Sequence, residues 1–368
     1  MRVVVIGGYG NFGARVCRGL AASGMEVVAA GRSNPEEGER DFGGLSVEQA
    51  RLDHSAGDFA AGLKRLAPDL VIHCAGPFQD QSYGVARAAL GAGAHYFDLA
   101  DGRQFVARFA QSLQSAARSA DRLALSGASS LPALSTAVVA ALGARVPKIE
   151  EIQIAIAPGQ RAPRGRATIA AVLGYAGRPF KWVSHGAWRD AWGWQELKRL
   201  RFYGLGPRWA AACDVPNLEL LPRLYPEAHT VEFRAALELG TQQSALWLAA
   251  FLRRSGMKLP LERWSGVLAR VASGMNALGG QLAGMLVSVS GKRADGSRAR
   301  AEWHLTADAL DGPEIPCMPT VLLARKLANG GIAQRGAFPC IGFLSLPEFE
   351  REFARWRITT VMRELSTG

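Results

Sequence analysis

The sequence predicts an α/β protein: a doubly wound, mostly parallel sheet first, then a second α+β domain containing a mixed or antiparallel sheet. Three observations lead there. Met1 to Ile6 is a short apolar run rich in β-branched residues; Gly7-Gly8-Tyr9-Gly10-Asn11-Phe12-Gly13 follows at once, then a helical stripe of Phe12, Val16 and Leu20. Strand-like runs then alternate with helical patterns as far as residue 145. From Ile149 the character changes to half-buried strands, and 285–306 reads as a hairpin around Asp295-Gly296.

The opening stretch is strand, glycine turn, helix, strand. That is the first βαβ unit of a Rossmann-type nucleotide site, with a structural turn as the plainer reading. Gly8 suits the tight turn, Gly10 a close approach of backbone to pyrophosphate, and Gly13 a close packing of helix on strand. Tyr9, Asn11 and Phe12 lie between them, and the helix N-terminus offers N–H groups and partial positive charge to phosphates. The second strand, Glu26 to Ala30, ends in Gly31-Arg32-Ser33 with no acid for a ribose 2′-hydroxyl. Arg32 can hold a 2′-phosphate bidentately and Ser33 can add a hydrogen bond, so NADP(H) is the expected cofactor. The plainer alternative leaves Arg32 as a surface arginine.

Further along, 34–44 reads as a polar loop and Val47 to Leu52 as a third strand closed by Asp53. That acid accepts from the adenine amine or caps the next helix. Phe59 to Leu66 is helical. Leu70 to Ala75 is a continuously apolar, buried strand, stopped by Gly76-Pro77-Phe78. Ligands lie at strand C-termini in such sheets, so Cys74, Ala75, Gly76, Pro77 and Phe78 are expected along the cofactor. Tyr83 to Gly91 is a helix, His95 to Asp101 a strand with its exit, Arg103 to Ser119 a helix and Leu123 to Ser126 a strand. Ser130, with Pro132 after it, reads as the cap of a helix over 133–142. In the second half, Ile149 to Ala157, Val231 to Leu239 and Met285 to Ser290 read as strands. Arg166 to Tyr175, Thr320 to Ala328 and Glu348 to Arg355 read as helices. The uncharged 271–291 fits a helix running into a strand better than a membrane span. The expected division is a nucleotide-binding domain over 1–146, an α+β substrate or dimerisation domain over 147–314, and a C-terminal helical segment, 315–368, returning to the first domain.

The chain has 368 residues, 20% of them charged, and mean hydropathy near zero, a globular enzyme's composition. Five scattered cysteines (17, 74, 213, 317 and 340) contain no C-x-x-C and read as reduced thiols, and six scattered histidines point to no metal. No cleavable leader is apparent, and a cytoplasmic location is expected. Net charge is +11. Residues 161–210 carry ten Lys/Arg against Asp190 and Glu196, together with five of the nine tryptophans. A solvated basic face over a Trp-rich core is the first reading of this stretch. Weak peripheral membrane contact is the second, and nucleic acid is set aside. A homodimer is expected.

The run from Val71 to Phe105 resembles the saccharopine dehydrogenase-like oxidoreductases. Their strand ending N-C-x-G-P-[FY], their Y-G helix start and their G-A-H-Y-x-D stand here as His73 to Phe78, Tyr83-Gly84 and Gly93 to Asp98. The glycine loop, the Ser130-x-Pro132 turn and the tail from Ile315 to Leu346 are similar as well. The resemblance implies an NADP-binding domain and a second α+β domain. Better-known relatives read D-x-x-G-E, whereas this chain reads Asp98-Leu99-Ala100-Asp101-Gly102, with Gly102 at the family's Glu position and an acid one residue earlier, at Asp101.

Hydride chemistry leaves the protein one proton to manage. Candidates are His95, Tyr96, Asp98 and Asp101. Tyr96 and Asp101 are preferred as catalytic residues, and Asp98 is counted with the cofactor set. The plainer readings are a core histidine, a packing tyrosine and helix caps. No tyrosine has Lys four residues on, against an ordinary short-chain reductase. The expected activity is an NADP(H)-dependent oxidoreductase acting on a C=N, C=O or C=C bond of a small molecule. The alternative is a non-catalytic NADPH sensor or scaffold, peripheral to a membrane in one version.

Overall fold

Val3 to Ile6 and Leu70 to Ile72 are wholly buried, as strands covered on both faces must be. In the computed structural model, which describes residues 1–32, 42–163, 166–308 and 310–365, they form the centre of a seven-stranded sheet. Its elements in chain order are β1 (Arg2–Ile6), α1 (Asn11–Ala21), β2 (Glu26–Gly31), β3 (Glu48–Arg51), α2 (Phe59–Arg65), β4 (Leu70–His73), α3 (Gly84–Gly91), β5 (His95–Asp98), α4 (Arg103–Ser119) and β6 (Leu123–Ser126). Two later pieces, α10 (Met318–Ala328) and β15 (Gly336–Pro339), complete it. The order is β15-β6-β5-β4-β1-β2-β3, and every pairing is parallel. The chain reverses direction across the sheet between β1 and β4, which places a topological switch point at their C-terminal ends.

By internal contacts the chain divides into Met1–Leu134 with Glu314–Leu344, and Ser135–Pro313 with Ser345–Gly368. The expected boundary at 146 thus falls earlier, because α5 (Ser135–Gly143) packs on the strands of the second unit. The tail also differs from the expected helical return. Only 314–344 belongs with the first sheet, where α10 lies on α1 so closely that a Cβ on Gly19 would meet Val321 at 2.9 Å. Residues beyond 345 run into the second unit and end in a strand.

The second unit is built from β7 (Lys148–Ala157), α6 (Arg166–Tyr175), β8 (Pro179–Ser184), β9 (Ala187–Trp192), β10 (Lys198–Phe202), β11 (Gly206–Ala212), α7 (Asn217–Leu224), β12 (Thr230–Ala235), α8 (Gly240–Arg254), α9 (Ser265–Gly274), β13 (Leu282–Lys292), β14 (Arg298–Asp308), α11 (Leu346–Phe353) and β16 (Ile358–Leu365). Its mixed sheet runs β10-β11-β12-β7-β13-β14-β16, with β8 attached to β12 and β9 to β8. The β13–β14 hairpin turns at Asp295-Gly296: Asp295 Oδ1 accepts from the Ser297 N–H at 2.9 Å, and Gly296 takes a φ of +82° that glycine tolerates. Ser130 caps no helix. Leu131 is extended and the helix begins at Ser135. The last helix starts at Leu346 because Ser345 and Glu348 form a capping box, Ser345 donating through both N–H and Oγ to Glu348 Oε2 at 2.7 Å. Among the described residues no helix is long and apolar enough to cross a membrane.

Candidate functional site

The glycine loop lies at the C-terminal end of β1. Gly7, rather than Gly8, takes the left-handed conformation, with φ +78°, and its carbonyl accepts from Gly10 N–H at 2.9 Å to close the turn. Gly8 has a packing role: a Cβ there would sit 2.8 Å from Ala29 of β2. At Gly13 a Cβ would lie 2.0 Å from the Gly7 carbonyl oxygen, so α1 rests directly on the turn. Gly10 differs from both. It is exposed, a Cβ would meet only the Gly7 oxygen at 3.2 Å, and as N-cap of α1 it brings no side chain over the helix end. The N-terminus of α1 thus carries no side-chain cap, the arrangement a pyrophosphate fits. Tyr9 folds back from the loop, its ring against Gly31 and its hydroxyl donating to the Ala50 carbonyl at 3.2 Å. Asn11 and Phe12, half-buried, open the helix.

Past the end of β2, Arg32 is exposed. Ser33 lies outside the described residues. Asp53, just past β3, accepts from Ser55 N–H and Oγ at 3.0 and 2.7 Å. Those hydrogen bonds hold its carboxyl below the ordinary range, with smaller help from His54 and Arg32. It does not cap α2, which starts at Phe59 after Asp58.

The β4 exit passes beside the loop, and Gly7 and Ala75 touch so closely that a Cβ on Gly7 would meet Ala75 N at 2.9 Å. Gln81 staples the turn, Nε2 donating to the Ala75 and Pro77 carbonyls at 2.7 and 2.8 Å. Cys74, Ala75 and Gly76 are half-buried, and Pro77 is exposed. Burial pushes the Cys74 thiol well above its ordinary range. Phe78 departs from expectation: it is 4% exposed, its ring packed on His73 and Phe105 at 5.0 and 5.5 Å, so it is a core residue.

Three of the four acid–base candidates turn out to be structural. His95 stands at the N-terminal end of β5, away from the loop, and its Nδ1 accepts from Leu123 N–H at 2.9 Å. Burial, with Arg122 and Arg335 nearby, lowers its pKa to about 4. Tyr96 is wholly buried, stacked on Phe109, with its hydroxyl 3.3 Å from His73 Nδ1 and beside Asp98. Burial pushes that phenol well above its ordinary range. Asp98 is also fully buried. Its Oδ1 accepts from Gly127 N–H (2.7 Å), Ala100 N–H (3.0 Å) and Ser126 Oγ (3.0 Å), tying the β5 and β6 exits together. Its Oδ2 is buried with no hydrogen-bond partner. Burial nonetheless outweighs those hydrogen bonds and raises its pKa to about 6.

Asp101 remains. It is exposed on the β5 exit, Gln79 Nε2 donates to its Oδ1 at 3.4 Å, and partial loss of solvation raises its carboxyl above the ordinary range. Nothing in the sequence pattern marks Gln79 or Gln81, whose roles depend on the turn after Pro77. Among the described residues no group of three or more His, Cys, Asp or Glu gathers as a metal site would.

Residues 3–128 match the family described as the saccharopine dehydrogenase NADP-binding domain. Over these residues the chain is similar to that NADP-binding domain. Its cofactor is NADP(H), and the open Gly10 backbone, the uncapped α1 and the exposed Arg32 fit that group. No curated protein matches the chain by sequence. Among solved structures, apo saccharopine dehydrogenase (L-Glu forming) from Saccharomyces cerevisiae superposes with TM-score 0.67 at 11% identity, over 99% of this chain and 100% of that one. This likeness is one of fold. Amine dehydrogenase from Mycobacterium smegmatis gives 0.48 at 13%, over 92% and 95%. DAP dehydrogenase of C. glutamicum gives 0.49 at 16%, over 96% and 98%.

Proposed function

We propose that the chain is an NADP(H)-dependent oxidoreductase that moves a hydride to or from a C=N, C=O or C=C bond of a small molecule. The observation that carries this reading is the glycine loop and open α1 N-terminus at the switch point of an NADP-binding domain. When bound, the nicotinamide supplies or takes the hydride. The chain's own residues do the rest. Gly10, Asn11 and Phe12 present backbone to the pyrophosphate, Arg32 holds the 2′-phosphate, and Ala75 to Pro77 border the nicotinamide side. Asp101, exposed and with a raised pKa, holds the proton that accompanies the hydride.

Screening of imine, carbonyl and enoyl substrates by NADPH consumption tests the reading. With an active substrate, Asp101→Asn lowers kcat roughly a hundredfold or more while leaving the NADPH Kd unchanged. Unchanged kcat would remove Asp101 from the chemistry. The burial of Tyr96 favours a second reading, an NADPH sensor or scaffold without turnover, because it leaves one candidate proton donor at the β5 exit. Tight NADPH binding with no consumption across the screen would favour that reading.

A further inference from the structure

On α9 and the turn before it, Trp264, Val267, Leu268 and Val271 follow the i, i+3, i+4, i+7 spacing of one helical stripe. A stripe of this kind ordinarily faces a core. Here it faces outward: Trp264 is 45% exposed, Val267 54% and Val271 57%, and Leu278 beyond the helix reaches 72%. Arg263 and Arg270 are exposed beside the stripe, and Lys258 precedes it. Between residues 240 and 291 the sequence holds five cations (Arg253, Arg254, Lys258, Arg263 and Arg270) and one acid, Glu262. Arg253 and Arg254 are engaged with neighbouring elements, Arg253 Nη1 donating to the Leu173 carbonyl at 3.2 Å and Arg254 lying over Trp192.

We infer that this face of α9 docks on an anionic lipid surface. An apolar stripe with Trp, edged by Lys and Arg, is the composition of a helix lying in the plane of a membrane interface. Charge selects the occupant. A second copy meeting the same face about a two-fold axis would bring Arg263 and Arg270 against their own kind, whereas acidic headgroups neutralise them. α9 packs on α6 of the 161–210 stretch, where Trp182 and Trp194 are buried, Trp188 and Trp209 are exposed, and Lys181 pairs with Asp190 at 2.9 Å. This docking rests on no assumption about catalysis.

Flotation of the full chain with phosphatidylcholine vesicles, with and without phosphatidylserine, tests the inference at low and high salt. The expected result is capture by phosphatidylserine vesicles alone, weakened by salt. Arg263→Glu/Arg270→Glu weakens it at least roughly thirtyfold, at about 1 kcal/mol per cation removed. Trp264→Ser/Val271→Ser weakens binding as well, and unchanged circular dichroism and thermal unfolding verify that both variants are folded. Absence of capture, capture untouched by either variant, binding to polyglutamate but not to vesicles, or a dimer that Trp264→Ser/Val271→Ser dissociates would each overturn it.

Discussion

Asp98 gives the clearest energetic statement in the first unit. Three donors converge on one carboxylate oxygen, yet burial raises its pKa from 3.8 to about 6. The folded protein therefore holds this proton more tightly than the unfolded chain. The contribution of Asp98 to stability is greatest below about pH 4 and falls as pH rises to about 6, by on the order of 3 kcal/mol. Urea unfolding at pH 4 to 7 measures this slope, and Asp98→Asn should flatten it. Asp98→Ala should cost about 2–4 kcal/mol at neutral pH by orphaning buried donors at Ala100, Ser126 and Gly127. An unchanged slope in Asp98→Asn would mean that the group does not titrate in the fold. The same burial makes Asp98 and Tyr96 poor site residues. Sequence reasoning placed them near the cofactor because strand position is legible, whereas the direction of burial at a strand's end depends on the neighbouring strand's exit.

The βαβ unit was legible because each of its signals is local. The apolar run, glycine spacing and helical stripe fix β1, α1 and β2 almost residue by residue. What was not legible depends on distant partners. Gly336–Pro339 is four residues with a proline, and it becomes a strand only because β6 offers an open edge, where a missing N–H costs nothing. Ile358–Leu365 extends the opposite kind of edge, against β14. The loop makes a sharp prediction of its own. Gly13→Ala drives a Cβ into the Gly7 carbonyl, so it should cost about 3 kcal/mol or more and abolish NADPH binding. Gly91→Ala at the end of α3, where nothing lies within 4 Å, should be neutral or slightly stabilising in thermal unfolding. Equal effects of the two substitutions would refute the packing role of Gly13.

Across the whole molecule the chain alternates between its two units, leaving the first after Leu134, returning at Glu314 and leaving again after Leu344. A tail that continues past the NADP-binding unit cannot be read from periodicity, since its final strand completes a sheet begun about 200 residues earlier. The net charge of +11 is spread over both the 161–210 stretch and the α8–α9 region, and the exposed apolar stripe accompanies the second. Cofactor choice is read by titrating nucleotide-free protein with NADPH and NADH while following cofactor fluorescence. NADPH should bind at least ~10-fold more tightly, about 1.4 kcal/mol, and Arg32→Glu should erase that preference. Equal affinities in the natural chain, or no binding of either nucleotide, would contradict the account.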